Sequence, residues 1–319
     1  MARSHKTSWY AYLAVIIVFA STGLVAYSQR QQEGPLSGNR EVTLEHGGLT
    51  RRALVHVPPG YDPAKPTALV LAFHGGLGRA DVMERQTNFD RVADKHNFIV
   101  AYPDGTGRAR FLTFNAGHCC GYAVRQGIDD VGFTSALIDE LSRQYKIDPN
   151  RVYATGFSNG AMLCHRLGVE LSDKIAAIAP VSGSMAPGLQ PSHPVPVMIV
   201  HGLGDRNVPF AGGVGENAVQ PVPHPAGEQT IARWLRADGD RPQPETQEAA
   251  DYQVRKYRPR DGRGSEVDVY LMKEGGHTWP GGIDVTPRLG TGKLVTSFDA
   301  SEEIWQFFAK HPKSAAAAK

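Results

Sequence analysis

The chain has 319 residues, of which 41% are hydrophobic and 21% are charged, so it can bury the core of one large domain or two small ones. Basic and acidic residues nearly balance, at 34 and 32, and no dense basic stripe is present, which argues against a nucleic-acid-binding protein. The three cysteines are too few for a disulfide scaffold, and their odd number leaves at least one thiol unpaired within the chain.

The N-terminus has the pattern of a targeting segment. Arg3, His5 and Lys6 precede an almost wholly apolar run over residues 11–26, and Ala26-Tyr27-Ser28 is a small-x-small cleavage site. This pattern predicts a cleaved export signal; an uncleaved signal anchor and a buried helix of a soluble protein are the alternatives. In the first two cases the rest of the chain is exported, to the periplasm or the extracellular space. Only an uncleaved segment would hold the protein at a membrane.

Strand and helix patterns alternate along the rest of the chain. Residues 41–45 and 50–57, separated by Gly47-Gly48, predict a β-hairpin. Apolar or alternating runs predict further strands at 68–73, 98–102, 175–181, 195–200, 252–257 and 266–272, and one that begins at 152. Helical spacing predicts helices at 81–95, from 129, and at 161–171, 228–237 and 298–310. The alternation predicts a single α/β domain with a mostly parallel central sheet flanked by helices. The predicted boundaries are a signal peptide or anchor at 1–28, a linker at 29–40, the α/β domain at 41–310 and a disordered tail at 311–319.

One short motif carries the strongest functional signal. Gly156-Phe157-Ser158-Asn159-Gly160 follows a β-branched apolar run and precedes a helix-compatible run. This is the G-x-S-x-G nucleophile elbow in its strand-turn-helix context, where a sharp turn exposes the serine hydroxyl. The pattern predicts Ser158 as a catalytic nucleophile. The alternative is an ordinary tight turn in which Ser158 only caps the helix.

A serine nucleophile needs a base and a carboxylate that orients the base. In α/β-hydrolases these partners follow in the order Ser, Asp or Glu, His. Asp205 comes directly after a predicted strand, and His277 lies in the loop after the last predicted strand, so both are predicted at the carboxyl ends of strands, where open α/β sheets bind ligands. Asp205 could instead cap its turn, and His201 is read as structural. The competing carboxylates are Asp238, Asp240, Asp251, Asp268 and Glu274.

Acyl transfer also needs hydrogen-bond donors for the oxyanion. The backbone N–H of Asn159 at the helix start is one predicted donor. The other is predicted to be the N–H of Gly76 or Leu77, in the glycine-rich loop that follows an earlier strand. His74 at the start of that loop is interpreted as a turn-stabilising group. Trp279 and Phe210 are candidate walls for the acyl or aryl group; the alternative for both is core packing.

Together these motifs resemble the family of polyhydroxybutyrate depolymerases and feruloyl esterases, which are secreted α/β-hydrolases. The resemblance covers about residues 41–309 and rests on His74-Gly-Gly, Tyr102-Pro-Asp-Gly105, Cys119-Cys-Gly121, Asp129-Asp-Val-Gly-Phe133, Gly156-Phe-Ser-Asn-Gly-Ala-Met162, His201-Gly-x-x-Asp205 and Gly275-Gly-His-Thr-Trp-Pro-Gly281. It implies a serine esterase that uses no metal and no cofactor. It also supports Ser158, Asp205 and His277 as the triad, position by position.

The predicted function is hydrolysis of carboxylic esters, either short hydroxyalkanoate oligoesters or feruloyl-type aromatic esters, through an acyl-enzyme. Thioesterase or peptidase activity with the same triad is the alternative, and so is a non-catalytic, membrane-tethered binding protein on a hydrolase fold. The predicted partner is the ester substrate; the sequence does not predict an oligomeric state. For an exported protein, a disulfide between Cys164 and Cys119 or Cys120 is expected, with a Cys119–Cys120 disulfide or free buried thiols as alternatives.

Overall fold

The computed structural model describes residues 37–237, 243–259, 264–285 and 290–313. The predicted export segment at 1–28 lies outside these residues, as do most of the predicted linker and of the predicted tail, so their boundaries stay predictions. Within the described ranges, no helix is both long enough and apolar enough to cross a membrane.

The described residues form one large sheet, a small hairpin and helices on both faces of the sheet. The strands are β1 (Gly38–His46), β2 (Leu49–Val57), β3 (Thr67–Phe73), β4 (Ile99–Pro103), β5 (Thr106–Arg108), β6 (Phe111–Thr113), β7 (Ile147–Phe157), β8 (Ala177–Val181), β9 (Val197–Gly202), β10 (Glu245–Glu248), β11 (Tyr252–Tyr257) and β12 (Val267–Met272). The helices are α1 (Ala80–Thr87), α2 (Phe89–His96), α3 (Gly121–Arg125), α4 (Asp130–Gln144), α5 (Asn159–Glu170), α6 (Gly227–Ala237) and α7 (Ala300–Ala309).

The large sheet has the strand order β1-β2-β4-β3-β7-β8-β9-β12-β11-β10. The six central strands, from β4 to β12, pair in parallel. Antiparallel strands are added at both edges. The mostly parallel sheet predicted from the alternating pattern is therefore confirmed, as is the first hairpin, whose turn Gly47-Gly48 has φ values of 60° and 74°.

The continuous apolar run of β3 shows how the sheet is covered on both faces. All seven residues of β3 are buried. Leu69, Leu71 and Phe73 belong to a core cluster with α4, α5 and α6, whereas the intervening Val70 and Ala72 belong to a second cluster with α1, α2 and α7. Successive strand residues point to opposite faces, so a strand between two helical layers must be apolar throughout.

Two local features differ from the predicted elements. The helix predicted at 81–95 is two helices, because Asn88 adopts a left-handed conformation (φ 50°) between them; asparagine tolerates this conformation better than most residues. The segment after β4, where the sequence pattern predicted neither strand nor helix, contains the β5–β6 hairpin. A single left-handed residue and two strands of three residues each are too short to leave an apolar period in the sequence.

Candidate active site

The elbow is formed where β7 meets α5. Ser158 lies between the two elements with φ 54° and ψ −116°, a conformation that few non-glycine residues adopt and that is concentrated at functional sites. A Cβ on Gly160 would lie 2.2 Å from the Phe73 carbonyl oxygen, and a Cβ on Gly156 would lie 2.6 Å from the Gly160 carbonyl carbon. Both glycines are therefore required by backbone contacts. The Ser158 side chain makes no capping hydrogen bond to α5, which rejects the alternative of a simple helix cap.

We expect Gly160→Ala to lower the free energy of unfolding by at least about 2 kcal/mol, because the added methyl group meets two backbone carbonyls that cannot move independently. Helix propensity alone would give the opposite sign, since alanine is favoured over glycine in a helix by about 1 kcal/mol. Urea unfolding followed by circular dichroism measures the difference. Gly188→Ala is the matched control, since nothing lies within 4 Å of its Cβ position. A Gly160→Ala variant as stable as the parent would contradict this steric account.

The structure brings Ser158, Asp205 and His277 together in one hydrogen-bonded chain. His277 Nε2 lies 2.9 Å from Ser158 Oγ, and His277 Nδ1 lies 2.7 Å from Asp205 Oδ2. Each residue follows the carboxyl end of a parallel strand, namely β7, β9 and β12. With Nδ1–H donating to the carboxylate, the Nε2 lone pair faces the serine hydroxyl, as proton transfer from serine requires.

Asp205 is held in its ionised form. Its Oδ1 accepts hydrogen bonds from the backbone N–H groups of Asn207 and Val208, both at 2.8 Å. Burial raises the pKa of Asp205, but the charges and hydrogen bonds of His277 and His201 outweigh it, so the pKa lies well below its usual range. His201 Nε2 donates to the Val208 carbonyl at 2.8 Å and lies 3.5 Å from Asp205 Oδ2, in agreement with its predicted structural role.

The backbone N–H groups predicted as oxyanion donors differ in whether a protein atom already accepts their hydrogen bond. The N–H of Leu77 donates to the Leu112 carbonyl at 2.8 Å, so Leu77 is wrong as an oxyanion donor. The N–H groups of Gly76 and Asn159 have no acceptor among the described residues, and both residues line the same pocket as Ser158. These two groups are the remaining candidates.

His74 fixes the loop that carries Gly76. Its Nδ1–H donates to the Gly75 carbonyl at 2.7 Å, and its Nε2 accepts from the Gly105 N–H at 3.0 Å. Burial lowers the pKa of His74 to about 4, so the ring is neutral and can make both bonds. The predicted turn-stabilising role of His74 is confirmed.

A pocket of about 390 Å³ is bordered by Ser158 and His277, and the sequence did not predict its walls. Trp279 is 1% exposed and lies outside this pocket; its Nε1–H donates to Ser301 Oγ, and its ring packs against Phe89, so its predicted wall role is wrong. Phe210 also lies outside the pocket and packs against the His201 ring, so its predicted wall role is wrong as well. The apolar side chains that line the pocket include Val82, Phe111, Met162, Val219 and Val285.

The cysteines pair differently from the expectation. Cys119 and Cys120 are bonded to each other and border the pocket, whereas Cys164 is a free thiol buried in α5. The expected disulfide of Cys164 is therefore wrong, and the vicinal alternative is the one observed. Burial raises the pKa of Cys164 well above its usual range, which makes its thiol unreactive.

The side chain of Asn159 ties the loop before the disulfide to the elbow. Asn159 Oδ1 accepts from the Phe114 N–H at 2.7 Å, and Nδ2 donates to the Phe114 and Cys119 carbonyls at 3.0 and 3.2 Å. One residue thus offers its backbone N–H to the site and uses its amide to hold the pocket wall. Within the described ranges, no group of three or more His, Cys, Asp or Glu residues is arranged to hold a metal ion.

Three buried histidines are expected to make the stability of the protein depend on pH. Burial lowers the pKa of His74 and His224 to about 4 and that of His165 to about 3. Because an unfolded histidine binds a proton below about pH 6.5, we expect the free energy of unfolding to fall as the pH is lowered from 6.5 to 4, by at most about 1.4 kcal/mol per pH unit for each residue. Glu84, whose pKa burial raises to about 7, acts in the opposite direction and reduces the net slope.

The variant His165→Gln isolates one of these contributions. Its unfolding free energy, measured by urea denaturation at half-unit steps from pH 7 to 4.5, should depend on pH less steeply than that of the parent, by about one proton. Equal slopes for the variant and the parent would show that His165 is protonated equally in the folded and unfolded states.

Comparison with known proteins agrees with this geometry. A family model described as esterase PHB depolymerase matches residues 52–221. The chain belongs to this esterase family. It is 32% identical over 264 residues to NocK of Nocardia uniformis subsp. tsuyamanensis, which is named as an esterase, and the match covers 76% of this chain and 74% of NocK. It is 29% identical over 235 residues to feruloyl esterase B of Piromyces equi, covering 71% of this chain but 42% of that protein.

A solved structure supports the fold assignment. Acetyl xylan esterase from Aspergillus awamori superposes with a TM-score of 0.56 at 15% identity, and the match covers 79% of this chain and all of that one. The predicted resemblance and the α/β-hydrolase fold are thereby confirmed. The present chain is therefore a carboxylic ester hydrolase.

Proposed function

We propose that the esterase cleaves its substrates through an acyl-enzyme on Ser158, with His277 as general base and acid and Asp205 as the carboxylate that orients it. The observation that carries this proposal is the unbroken hydrogen-bonded chain from Asp205 to Ser158, with distances of 2.7 and 2.9 Å. A serine in the strained elbow, a base within reach and a buried ionised carboxylate together meet the requirements for nucleophilic catalysis.

The reaction has two steps that use the same groups. Ser158 Oγ attacks the ester carbonyl carbon while its proton moves to His277 Nε2; the tetrahedral intermediate then collapses, and the alcohol leaves with that proton. Water attacks the acyl-enzyme in the second step, giving its proton to Nε2, and the acid leaves as Ser158 recovers its proton. Asp205 stabilises the imidazolium that forms in each step.

The developing oxyanion is held by two backbone donors in this proposal. The N–H groups of Gly76 and Asn159 are free of protein acceptors among the described residues and border the Ser158 pocket. A donor of this kind stabilises the transition state by about 3 kcal/mol in a serine hydrolase. The backbone at position 76 is not crowded, since a Cβ there would meet only Asn159 Cβ, at an ordinary contact distance of 3.7 Å.

The pocket and the names of the relatives support a proposal for the substrate class. A volume of about 390 Å³ lined by Phe111, Met162 and Val219 suits a compact, partly apolar acyl group. Relatives are named feruloyl esterase B and acetylxylan esterase/xylanase XynS20E, the latter from Neocallimastix patriciarum. The matches cover 42% and 22% of the lengths of these two proteins, so their named substrates support a proposal for this chain and no more. We therefore propose short hydroxyalkanoate oligoesters or feruloyl-type aromatic esters.

Initial rates on a panel of four compounds test this function. The purified protein is assayed with p-nitrophenyl butyrate, a soluble 3-hydroxybutyrate trimer, methyl ferulate and, for peptidase activity, an acyl p-nitroanilide. Turnover of at least one of the three esters, with the anilide at least about a hundredfold slower, is the expected result, and the better of the trimer and the ferulate identifies the acyl class. A well-folded protein that is inert on all three esters would overturn the proposed substrate class.

A further inference from the structure

Several of the polar side chains that line the pocket are hydrogen-bonded to the protein itself. The amide of Asn159 is bound to the backbone of Phe114 and Cys119. Gln220 Oε1 accepts from the Gly121 N–H at 2.9 Å, and Thr291 Oγ1 donates to Asp284 at 2.8 Å. These hydrogen bonds hold parts of the pocket wall in place.

His224 is a buried aromatic side chain of the pocket that keeps one of its two ring nitrogens unengaged. It lines the pocket, is 7% exposed, and its Nδ1 lies 3.2 Å from the hydroxyl of the buried Ser184. Nε2 has no hydrogen-bond partner among the described residues, and it is not sealed off from solvent. Because His224 lines the pocket, a substrate can reach Nε2 from there.

The position of His224 is fixed from several sides. Its backbone N–H and C=O both pair with Gly213 at 2.9 Å, and its ring packs edge-on against the His118 ring at 5.6 Å between centroids. His224 is near enough to Asp205 and His277 for their charges to act on its pKa. A polar atom held rigidly in the pocket that Ser158 and His277 also line can select substrates, because it costs no ordering when the substrate binds.

The chemistry of the ring indicates which substrate group it fits. Burial, followed by the nearby His118, lowers the pKa of His224 to about 4, so the ring is neutral at pH 7. A neutral imidazole has one N–H and one acceptor nitrogen, and the bond to Ser184 leaves either of them at Nε2. A hydroxyl group fits both cases, since it donates and accepts, whereas an ether or carbonyl oxygen only accepts.

We propose that His224 is a specificity residue that hydrogen-bonds through Nε2 to a hydroxyl group on the acyl part of the ester, with Ser184 orienting its ring. This inference rests on the proposed function, because it assigns a contact to the substrate that Ser158 attacks. Two acyl classes carry such a hydroxyl: 3-hydroxyalkanoates and 4-hydroxycinnamates. An ester without the hydroxyl leaves the buried Nε2 unpaired, and a site of this kind discriminates against it.

The test compares matched esters with and without the hydroxyl. One pair is ethyl 3-hydroxybutyrate and ethyl butyrate, and the other is methyl 4-hydroxycinnamate and methyl cinnamate. For one pair we expect kcat/KM of the full-length parent to favour the hydroxylated ester, and His224→Phe to lower that preference about tenfold, the ratio that corresponds to one net hydrogen bond. The pair that responds identifies the acyl class.

Companion variants separate recognition from folding. His224→Gln, which can place an amide near the Nε2 position, should recover part of the preference, and Ser184→Ala should lose part of it. His193→Phe changes an exposed histidine outside the pocket and should leave both ratios unchanged. Activity of His224→Phe on the esters without the hydroxyl serves as the check of folding.

The outcomes are distinct for the two proposals. If the parent hydrolyses the esters but the ratios of both pairs are the same in the parent and in His224→Phe, this inference is overturned while the proposed function stands. If the parent hydrolyses none of the four esters, the proposed function fails and this inference fails with it. If His224→Phe lowers kcat/KM equally for both members of each pair, His224 has a purely structural role, which also overturns the inference.

Discussion

Replacement of Ser158 by alanine is expected to lower kcat by at least about a thousandfold, and up to about a millionfold, because no acyl-enzyme can form without the hydroxyl. The fold should be unaffected. Ser158 Oγ bonds His277 in the structure, and the Ser158 side chain makes no capping bond to α5. The free energy of unfolding should therefore change by less than about 0.5 kcal/mol. Steady-state kinetics on the best ester of the panel and urea denaturation measure the two effects.

Ser182 provides a matched control for this experiment. It directly follows the neighbouring strand β8, has the same φ of 54° and is 1% exposed, but it lies outside the pocket. Ser182→Ala should keep the parental kcat. If Ser158→Ala were as active as the parent, another nucleophile would be at work and the proposed mechanism would be wrong. If both variants lost activity together, the loss would reflect disruption of the strand ends.

Asp205→Asn is expected to lower kcat by roughly ten-thousandfold, the size of effect known for the equivalent change in a serine protease triad. The environment of Asp205 explains why an amide cannot substitute. Oδ1 faces the N–H groups of Asn207 and Val208, so the amide oxygen must occupy that side and the NH₂ group must face His277 Nδ1. This arrangement makes Nδ1 an acceptor and puts the ring hydrogen on Nε2, which then cannot take the proton of Ser158.

Kinetics over a range of pH test this tautomer argument. Asp205→Asn should regain activity in alkali, where attack by hydroxide or ionised serine no longer needs the base, whereas Ser158→Ala should not regain it. Asp251→Asn changes a carboxylate that also follows a strand but bonds Ser297 away from the pocket, and it should behave as the parent. A mild effect of Asp205→Asn, below about tenfold, would mean that another group orients His277.

Local sterics explain why the elbow could be predicted from sequence. A Cβ added to Gly156 or Gly160 would lie within 3 Å of backbone atoms, so the turn itself requires glycine on both sides of Ser158. Asp205 and His277 could also be predicted from the sequence, because a parallel sheet places the residues after successive strands along one edge. These positions follow from chain order and strand pattern, which any reader of the sequence can see.

The side-chain directions around the site could not be predicted in the same way. Trp279 is two residues from His277 in sequence, but its ring packs against Phe89 in the core rather than in the pocket. Leu77 and Gly76 are adjacent, yet only Leu77 donates to the Leu112 carbonyl, a contact made by the unpredicted β5–β6 hairpin. Each of these outcomes depends on which distant backbone lies alongside, and no local pattern encodes that.

The sequence by itself thus determined the sheet, the elbow, the chain order of Ser158, Asp205 and His277, and the esterase family, because these depend on residue type and spacing within short segments. Only the tertiary structure decided which side chains line the pocket, which of the predicted backbone donors lack a protein acceptor and which cysteines are joined. Phe111, Val219 and His224 reach the pocket from loops far apart in the chain. Their meeting is a result of packing between segments, since the hydrophobic pattern of each segment alone is compatible with many neighbours.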